Sequence, residues 1–470
     1  MSRTAYLRFR YILSDCISVT LCYFIFNCIR YTVEDKSPTF GELYDFIFNL
    51  KAYVVGIIFV LFWIGLFALS GYYNNVENKS RLDEFPTTII STIIGSIIVF
   101  MGLVVDDVVL DTSVYLKLYF YLFSLMTIVV YPIRFIQTTI EIKRYKSLHE
   151  RDKILLIMND EATSLPIEKT LREEGKIILD KIMIPTSNMQ HQEADINIQQ
   201  HINEIETCIT KRNPDIIVVY IEGKHLECFS LLLYGLYKYK IPIKVPMRSM
   251  LFAGAKVKVR GMKGEPFIDL TDTNMSEWEK NVKWLFDKIC ALILLIITSP
   301  IMLILAISVK FSSKGPIIFK QERIGLYGKP FMIYKFRTMY TEAECNGPQL
   351  SKDGDKRITK VGRTLRKYRL DELPQFWNVL KGDMSFVGPR PERSYYIKQL
   401  VNVAPYYYLL HNVRPGITSW GMVKYGYASN LKEMEERLEF DWLYYENMSL
   451  QLDLAVLCYT IYTLIKGSGK

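Results

Sequence analysis

The sequence predicts a mostly α-helical integral membrane protein with three parts. These are a bundle of four transmembrane helices, a small α/β domain, and a mainly helical C-terminal domain with a re-entrant membrane helix. Three observations predict it. Four apolar runs of spanning length fill the first third, short aliphatic runs alternate with helical patterns in the middle, and a fifth apolar run carries a central proline between basic flanks. The expected boundaries are 1–146 for the bundle, 147–255 for the α/β domain, 256–282 for a linker and 283–470 for the C-terminal domain, its re-entrant helix at 287–310.

Composition agrees with a membrane setting. Of 470 residues, 50% are hydrophobic and 13% aromatic, and the mean hydropathy of +0.10 is high for a soluble chain. The net charge of +9 suits anionic lipid headgroups or phosphorylated substrates. No nucleic-acid-binding motif accompanies it, so no nucleic-acid partner is expected. The eight cysteines are scattered without a C-x-x-C pair, and the five histidines do not cluster near them. Neither a disulfide framework nor a zinc site is expected. The first apolar run lacks a cleavage pattern and reads as a retained anchor.

The four spans run at about Tyr11–Ile29, Tyr53–Tyr72, Pro86–Val105 and Val114–Ile133, each close to the ~20 residues a crossing helix needs. Arg3, Arg8 and Arg10 precede the first, Lys79 and Arg81 lie in the second loop, and Arg134, Lys143, Arg144 and Lys146 follow the fourth. The other two loops carry only Arg30, Lys36 and Lys51, and the third is acidic through Asp106, Asp107 and Asp111. Both ends of the bundle are therefore expected on the cytoplasmic side. Asp15 lies within the first span, where an acid marks function or finds a partner; near a helix end, a partner is the expectation.

In the middle, Lys153–Met158, Lys176–Met183 and Ile216–Ile221 read as strands, and Ile167–Glu174, Ile196–Thr210 and Leu226–Tyr239 as helices. That alternation predicts a small parallel sheet of Rossmann type. The first strand leads into MNDEATS, which lacks the glycines that let a backbone approach a pyrophosphate. Tyr234 and Lys238 form a Y-x-x-x-K pair, the spacing of nucleotide-sugar dehydratases and epimerases. Without the glycines it reads as a helix surface, and no nicotinamide cofactor is expected.

A segment with Gly261, Gly264 and Pro266 leads to the fifth apolar run, Ile289–Val309. Its length allows a crossing. Pro300, however, follows Thr298 and Ser299 at the midpoint and removes a helical hydrogen bond. Lys280, Lys283 and Lys288 precede the run, and Lys310, Lys314, Lys320 and Arg323 follow it. If positive residues stay inside, both ends stay inside, and the run is a helix-break-helix. The stretch Leu450–Ile465 is amphipathic enough to lie on the bilayer surface.

The chemistry concentrates after that run. Lys335 and Arg337 stand in YKFRTM, and Arg357, Lys360, Arg363, Arg366, Lys367 and Arg369 crowd the approach to Asp371 and Glu372, with Arg390 and Arg393 following. A charge run is usually a solvated or lipid-facing surface, and adjacent acids often complement a helix N-terminus. A basic run that ends in two acids beside a membrane hairpin also suits phosphate handling. Guanidinium forks hold phosphoryl oxygens, and carboxylates supply a nucleophile or a ligand for a hard cation such as Mg²⁺. The residues alone reach phosphate chemistry at a membrane surface.

The segments LFDKICALILLIITSPIMLILAI, GPIIFKQERIG, FMIYKFRTM, RITKVGRTLRKYRLDELPQFWNVLKGDMSFVGPRPE, VRPGIT and FDWLYYENMSLQLDL, in this order, resemble the catalytic domain of the bacterial sugar transferases. These are polyprenyl-phosphate hexose-1-phosphate transferases. The likeness runs from about Lys283 to Gly467, and the parts before it resemble the family's long form in architecture only. The resemblance implies transfer of a sugar 1-phosphate from a UDP-sugar to undecaprenyl phosphate with release of UMP. This is the membrane-committing step of O-antigen, capsule or exopolysaccharide synthesis, on the cytoplasmic face of the bacterial inner membrane. It implies Asp371 as the nucleophile of a phosphosugar-enzyme intermediate and Glu372 as the Mg²⁺ ligand. Arg366 and Arg390 match phosphate-binding arginines, Lys335 and Asp441 match further active-site positions, and Arg337, beside Lys335 in YKFRTM, is expected to bind substrate with them. Ser299 and Pro300 match the break of the re-entrant helix.

Two departures stand out. Trp284 replaces a basic residue usual before the Phe-Asp pair, and SWGMV (Ser419–Val423) replaces the more usual GWAQV, in a region that bears on sugar choice. Glucose or galactose is expected ahead of an N-acetylated sugar. For the middle domain the sequence leaves regulation or contacts in a homodimer. A membrane-anchored dehydratase or epimerase is the second reading and needs the missing glycines. A non-enzymatic polysaccharide assembly protein is the third and has no need of adjacent acids.

Overall fold

In the computed structural model the described residues are 3–34, 41–74, 76, 81–106, 112–147, 152–159, 161–173, 175–184, 191–220, 232–233, 235–246, 259–260, 267–271, 273–341, 343, 349, 354–426 and 428–465. Tyr234, Gly261, Gly264, Pro266 and most of the expected helix Leu226–Tyr239 lie outside them. The chain forms two units, Met1–Glu150 with Ser276–Val282, and Arg151–Met275 with Lys283–Lys470. It is mostly helical, with small sheets, and five described helices are long and apolar enough to cross a membrane.

In the first unit these are α1 (Arg3–Val33), α2 (Leu50–Leu69), α3 (Arg81–Asp106) and α4 (Thr112–Ser147). Leu118, Leu122, Met126 and Val130 form a four-residue ridge on α4 that is wholly buried, against Tyr11, Val19, Cys22 and Phe26 of α1 and Trp63 and Phe67 of α2. Rows spaced by four residues are what one helix presents to another. Gly95 permits the closest approach, because a Cβ there would lie 2.4 Å from the Trp63 ring. Outward-facing Ile57, Ile58, Leu61 and Ile128 are exposed, as a lipid-facing surface requires.

Asp15 finds its partner in Arg134, whose Nη2 lies 2.7 Å from Oδ2. The guanidinium lies over the Phe67 and Tyr72 rings, at 3.9 and 3.7 Å from their centroids, and donates to Thr88. Arg134, counted from sequence among the charges leaving the fourth span, is fully buried. Such burial is tolerable only because the charge is paired and stacked.

The second unit holds the six-stranded sheet in the order β2-β1-β3-β4-β6-β5. β1 (Lys153–Met158), β2 (Ile177–Met183), β3 (Ile216–Tyr220) and β4 (Ile243–Pro246) are parallel, while β5 (Val259–Arg260) and β6 (Phe267–Asp269) complete the edge antiparallel. β3 is buried along its whole length, which accounts for its unbroken aliphatic run. α5 (Glu161–Glu173) and α6 (His191–Arg212) alternate with the strands. One apolar core joins Leu155, Val219 and Ile243 of this sheet to Tyr396, Leu410 and Leu438 further along the chain.

The fifth apolar run belongs to α7 (Glu277–Ser312). Two arms broken at Pro300 are the sequence expectation, yet helical structure continues through that residue. Pro300 has no N–H for the carbonyl of Ile296, and the Ser299 hydroxyl donates to that carbonyl at 2.8 Å. Thr298 donates likewise to Leu294 at 2.6 Å. Hydroxyls that satisfy freed carbonyls let a proline persist inside an apolar helix.

After α7 comes an antiparallel hairpin, β7 (Ile318–Ile324) and β8 (Pro330–Phe336), which the sequence reading did not anticipate. It is followed by α8 (Lys360–Lys367), α9 (Gln375–Lys381), the parallel pair β9 (Ser385–Val387) and β10 (Gly416–Thr418), α10 (Ser394–Val403), α11 (Leu431–Glu446) and α12 (Leu450–Ile465).

Candidate active site

The hairpin, α8 and the turn after it surround a cavity of about 630 Å³. Strand β8 brings in Lys335, and its exit brings Thr338. α8 seats against that exit: Thr359 N donates to Thr338 O at 2.9 Å, and a Cβ on Gly362 would lie 2.1 Å from the same oxygen. Only glycine allows this approach. It aligns Arg366, whose Nε donates to Thr338 Oγ1 at 2.9 Å.

α8 then stops. Arg369 takes the left-handed conformation (φ 54°, ψ 24°), a helix-ending geometry that costs a non-glycine residue roughly 1–2 kcal/mol. The reversal starts the 3₁₀ turn Leu370–Glu372, which turns Asp371 and Glu372 into the cavity wall. Both acids are buried. Just beyond, Asn378 clamps α9 to β8, donating to Met332 O at 2.7 Å and accepting from Tyr334 N at 3.1 Å.

The neighbouring carboxyls titrate in opposite directions. Burial pushes Asp371 above the usual carboxylate range and the negative Glu372 adds to the rise, while Lys335 and Arg366 oppose it. Burial acts on Glu372 too, but Lys335, Arg369 and Arg390 outweigh it and hold that carboxyl well below its ordinary value. Lys335 Nζ lies 2.6 Å from Glu372 Oε1.

The other candidates are placed as follows. Lys335, Arg337, Arg366, Asp371, Glu372 and Arg390 all line the cavity. The Arg337 guanidinium, however, donates to the carbonyls of Val309, Ser313 and Pro316, fastening the end of α7. Asp441 is buried behind the wall: its Oδ2 accepts from Arg390 N at 3.2 Å and its Oδ1 from Gly421 N at 2.9 Å. It positions the backbone of the Gly-Pro-Arg-Pro segment and of SWGMV. Ser299 and Pro300 lie within α7 and are not among the residues lining the cavity.

Sequence reading missed part of the lining. Arg323, Glu392 and Arg437 share the cavity with Arg390. Arg437 Nη2 lies 2.5 Å from Glu392 Oε1, and Arg323 Nη1 lies 3.4 Å from Oε2. These residues come from β7, the segment before α10, and α11, so no local spacing announces them; the one available signal was a carboxylate flanked by arginines in RPER.

Mg²⁺ takes one or two carboxylates and completes its shell with phosphate oxygens and water. Glu372, ionised and set in a cation-lined cavity beside Asp371, fits that sparse donor set. Among the described residues no three of His, Cys, Asp and Glu gather into a protein-only cage.

Residues 278–467 match the family model of the bacterial sugar transferases. Among curated proteins the chain is 45% identical over 183 residues to a UDP-N-acetylgalactosamine-undecaprenyl-phosphate N-acetylgalactosaminephosphotransferase of Aeromonas hydrophila, covering 39% of this chain and 43% of that relative. It is 39% identical over 207 residues to a UDP-glucose:undecaprenyl-phosphate glucose-1-phosphate transferase of Escherichia coli K12, covering 44% of this chain and 45% of the relative. It is 42% identical over 188 residues to an uncharacterized sugar transferase of Bacillus subtilis, covering 40% of this chain and 89% of the relative. The chain belongs to the bacterial sugar transferase family. Its alignments span less than half the length of the first two relatives.

Proposed function

We propose that this chain transfers a hexose 1-phosphate from a UDP-sugar to undecaprenyl phosphate and releases UMP, the reaction that starts assembly of a lipid-linked polysaccharide. The observation that carries the reading is the buried pair Asp371 and Glu372, shifted in opposite directions, inside a cavity lined by arginines. Both relatives with named substrates are described as acting on undecaprenyl phosphate, one with an N-acetylated sugar and one with glucose. The donor is therefore taken as a UDP-hexose without narrowing.

In the proposed mechanism a carboxylate oxygen of Asp371 attacks the phosphorus that bears the sugar. The bond from that phosphorus to the bridging oxygen breaks, and UMP departs with the oxygen. The sugar phosphate is then held as an acyl phosphate on Asp371. An oxygen of undecaprenyl phosphate attacks the same phosphorus, and the Asp371 carboxylate is released. Burial that raises the Asp371 carboxyl also leaves its anion poorly solvated, hence more basic and more nucleophilic. Arg366 and Arg390 would orient the phosphoryl oxygens and offset the repulsion between anions. Glu372 would hold Mg²⁺, which when bound neutralises phosphate charge. One phosphoanhydride replaces another, so no external energy source is needed.

We further propose that helices α1 to α4 form a transmembrane bundle and that α7 is re-entrant, leaving the catalytic domain on the cytoplasmic face. In support, α7 is fastened to the same domain on both sides of its apolar run. Lys283 pairs with Asp453, Asp287 accepts from Phe386 N and Lys288 donates to Val379 O, whereas Val309 and Ser313 accept from Arg337. A straight helix would separate Lys288 from Val309 by about 31 Å, and Ile296, Ile297, Leu303 and Ile304 between them are exposed. The α/β domain is assigned to regulation or to contacts in a homodimer.

The test is UMP release from a panel of UDP-sugars by the purified full-length protein, with undecaprenyl phosphate and with or without Mg²⁺. Release with at least one sugar, dependent on Mg²⁺, is expected. Failure with every UDP-sugar tested would contradict the reading.

A further inference from the structure

The cavity that holds the acids changes character along β7. This strand contributes Phe319, Gln321 and Arg323 to the lining, alternate residues that share one face. The row passes from apolar to cationic, and its apolar end comes first, shortly after α7 stops at Ser312. Phe319 lines the cavity and is still 42% exposed, so its ring stands at the mouth. Pro316 lines the same cavity and is also exposed. Directly across the hairpin from Phe319 is Lys335, whose Nζ reaches Glu372.

This mouth adjoins the end of α7. Arg337, itself a lining residue, gathers the carbonyls of Val309, Ser313 and Pro316 round one guanidinium. Leu370 and Leu373, which bracket the acids, pack against the apolar cluster of Val309, Phe336 and Leu365. Ile304, Ile307 and Phe311, at helical spacing on α7, are exposed, Phe311 by 86%. An apolar mouth beside that stripe, with Lys335 and Arg366 further in, is complementary to an amphiphile. Its phosphate would meet the cations, and its hydrocarbon chain would meet Phe319 and α7.

We propose that Phe319 and Pro316 form the port by which the lipid acceptor reaches Asp371, with the Phe319 ring against the isoprene units next to its phosphate. This rests on the transferase reading above. A hydrocarbon chain gains little by exchanging lipid for an apolar side chain. The acceptor phosphate, however, must leave the headgroup plane to reach a buried carboxylate, and it draws the adjoining isoprene units with it. Without an apolar lining those units would meet water.

The test uses full-length protein in nanodiscs, with KM measured separately for undecaprenyl phosphate and for UDP-sugar. Phe319→Ser should raise KM for the lipid about tenfold, the scale of part of one buried apolar side chain. KM for the UDP-sugar should stay unchanged. Phe319→Leu should restore most of the loss, because the port needs apolar surface rather than a ring. A second readout needs no turnover: an undecaprenyl phosphate analogue with a diazirine in its first isoprene unit is photolysed on the protein. Label should fall on a peptide containing Phe319, and undecaprenyl phosphate should suppress it. Label confined to other peptides would overturn the proposal. So would a rise in KM for the UDP-sugar in place of the lipid, which assigns the ring to the nucleotide base. Suppressible label at Phe319 in a protein that turns over no UDP-sugar would keep the port and remove the transferase reading.

Discussion

Lys335 Nζ lies 2.6 Å from Glu372 Oε1, so the ammonium on strand β8 pairs with the second of the two adjacent acids. The pairing sets the two carboxyls apart. Glu372 is kept ionised, while Asp371, which burial and Glu372 raise, becomes the more basic of the two.

The pH dependence follows. A nucleophilic Asp371 must be ionised, so kcat/KM should fall as pH drops through its raised pKa, giving an acid limb above the ordinary carboxylate range. Lys335→Met removes a cation that lowers Asp371, with Arg369 and Arg390 still holding Glu372 ionised. The limb should move to higher pH. Glu372→Gln removes an anion that raises it, and the limb should move to lower pH. Shifts of the opposite sign in the two pH profiles would break the assignment.

Arg337 and Arg366 should fail in different ways. Arg337→Gln would leave buried carbonyls at the end of α7 without donors, at about 1–3 kcal/mol for each group. Its melting temperature should fall, and activity per folded molecule should largely survive. Arg366→Gln should melt near wild type and lose rate by about 10²-fold, the scale of one electrostatic donor to the transition state. Thermal unfolding in detergent alongside kcat separates the two.

Asp15→Asn should destabilise the first unit by about 3–5 kcal/mol, because Arg134 would stay buried without its counter-charge. Adding Arg134→Gln should restore part of that loss. Equal stability of the single and double variants, read by denaturation in detergent, would show that the pair is not coupled.

The sidedness of α7 can be read by labelling. Cysteines introduced near Lys280 and near Lys314 should react from the same face of sealed vesicles. Reaction from opposite faces would make α7 a crossing helix. Pro300→Leu should favour a straighter helix and lower activity, since Lys288 and Val309, on either side of the apolar run, are fastened to the domain that carries the acids.

Much of this fold is legible in sequence because it is written locally. β1 falls on Lys153–Met158 as expected and β3 on Ile216–Tyr220 within a residue, since buried parallel strands are continuous aliphatic runs, while the edge strand Ile177–Met183 also agrees within a residue although Asp180 and Lys181 interrupt it. The hairpin Ile318–Phe336 was missed because its residues alternate weakly and its loop rests on Gly325 and Gly328. In the cavity, Asp371, Glu372 and Arg366 are close in sequence and were readable as a motif. The grouping of Arg323, Glu392 and Arg437 spans more than a hundred residues and exists only once β7, α10 and α11 are assembled. Arg337 shares the motif YKFRTM with Lys335 but lies just past the end of β8, and its guanidinium holds the carbonyls of Val309, Ser313 and Pro316, partners that no local spacing announces.

The most direct test of the covalent mechanism uses UDP-sugar labelled in the phosphate next to the sugar, with no lipid acceptor present. Wild-type protein should release UMP and retain label on a peptide containing Asp371, and added undecaprenyl phosphate should then carry the label away. Asp371→Asn should retain none and should lose several orders of magnitude in turnover, roughly the loss seen when a covalent nucleophile is removed. No retained label on wild type, together with kinetics that require donor and lipid bound at once, would contradict the account and make Asp371 a base or a metal ligand.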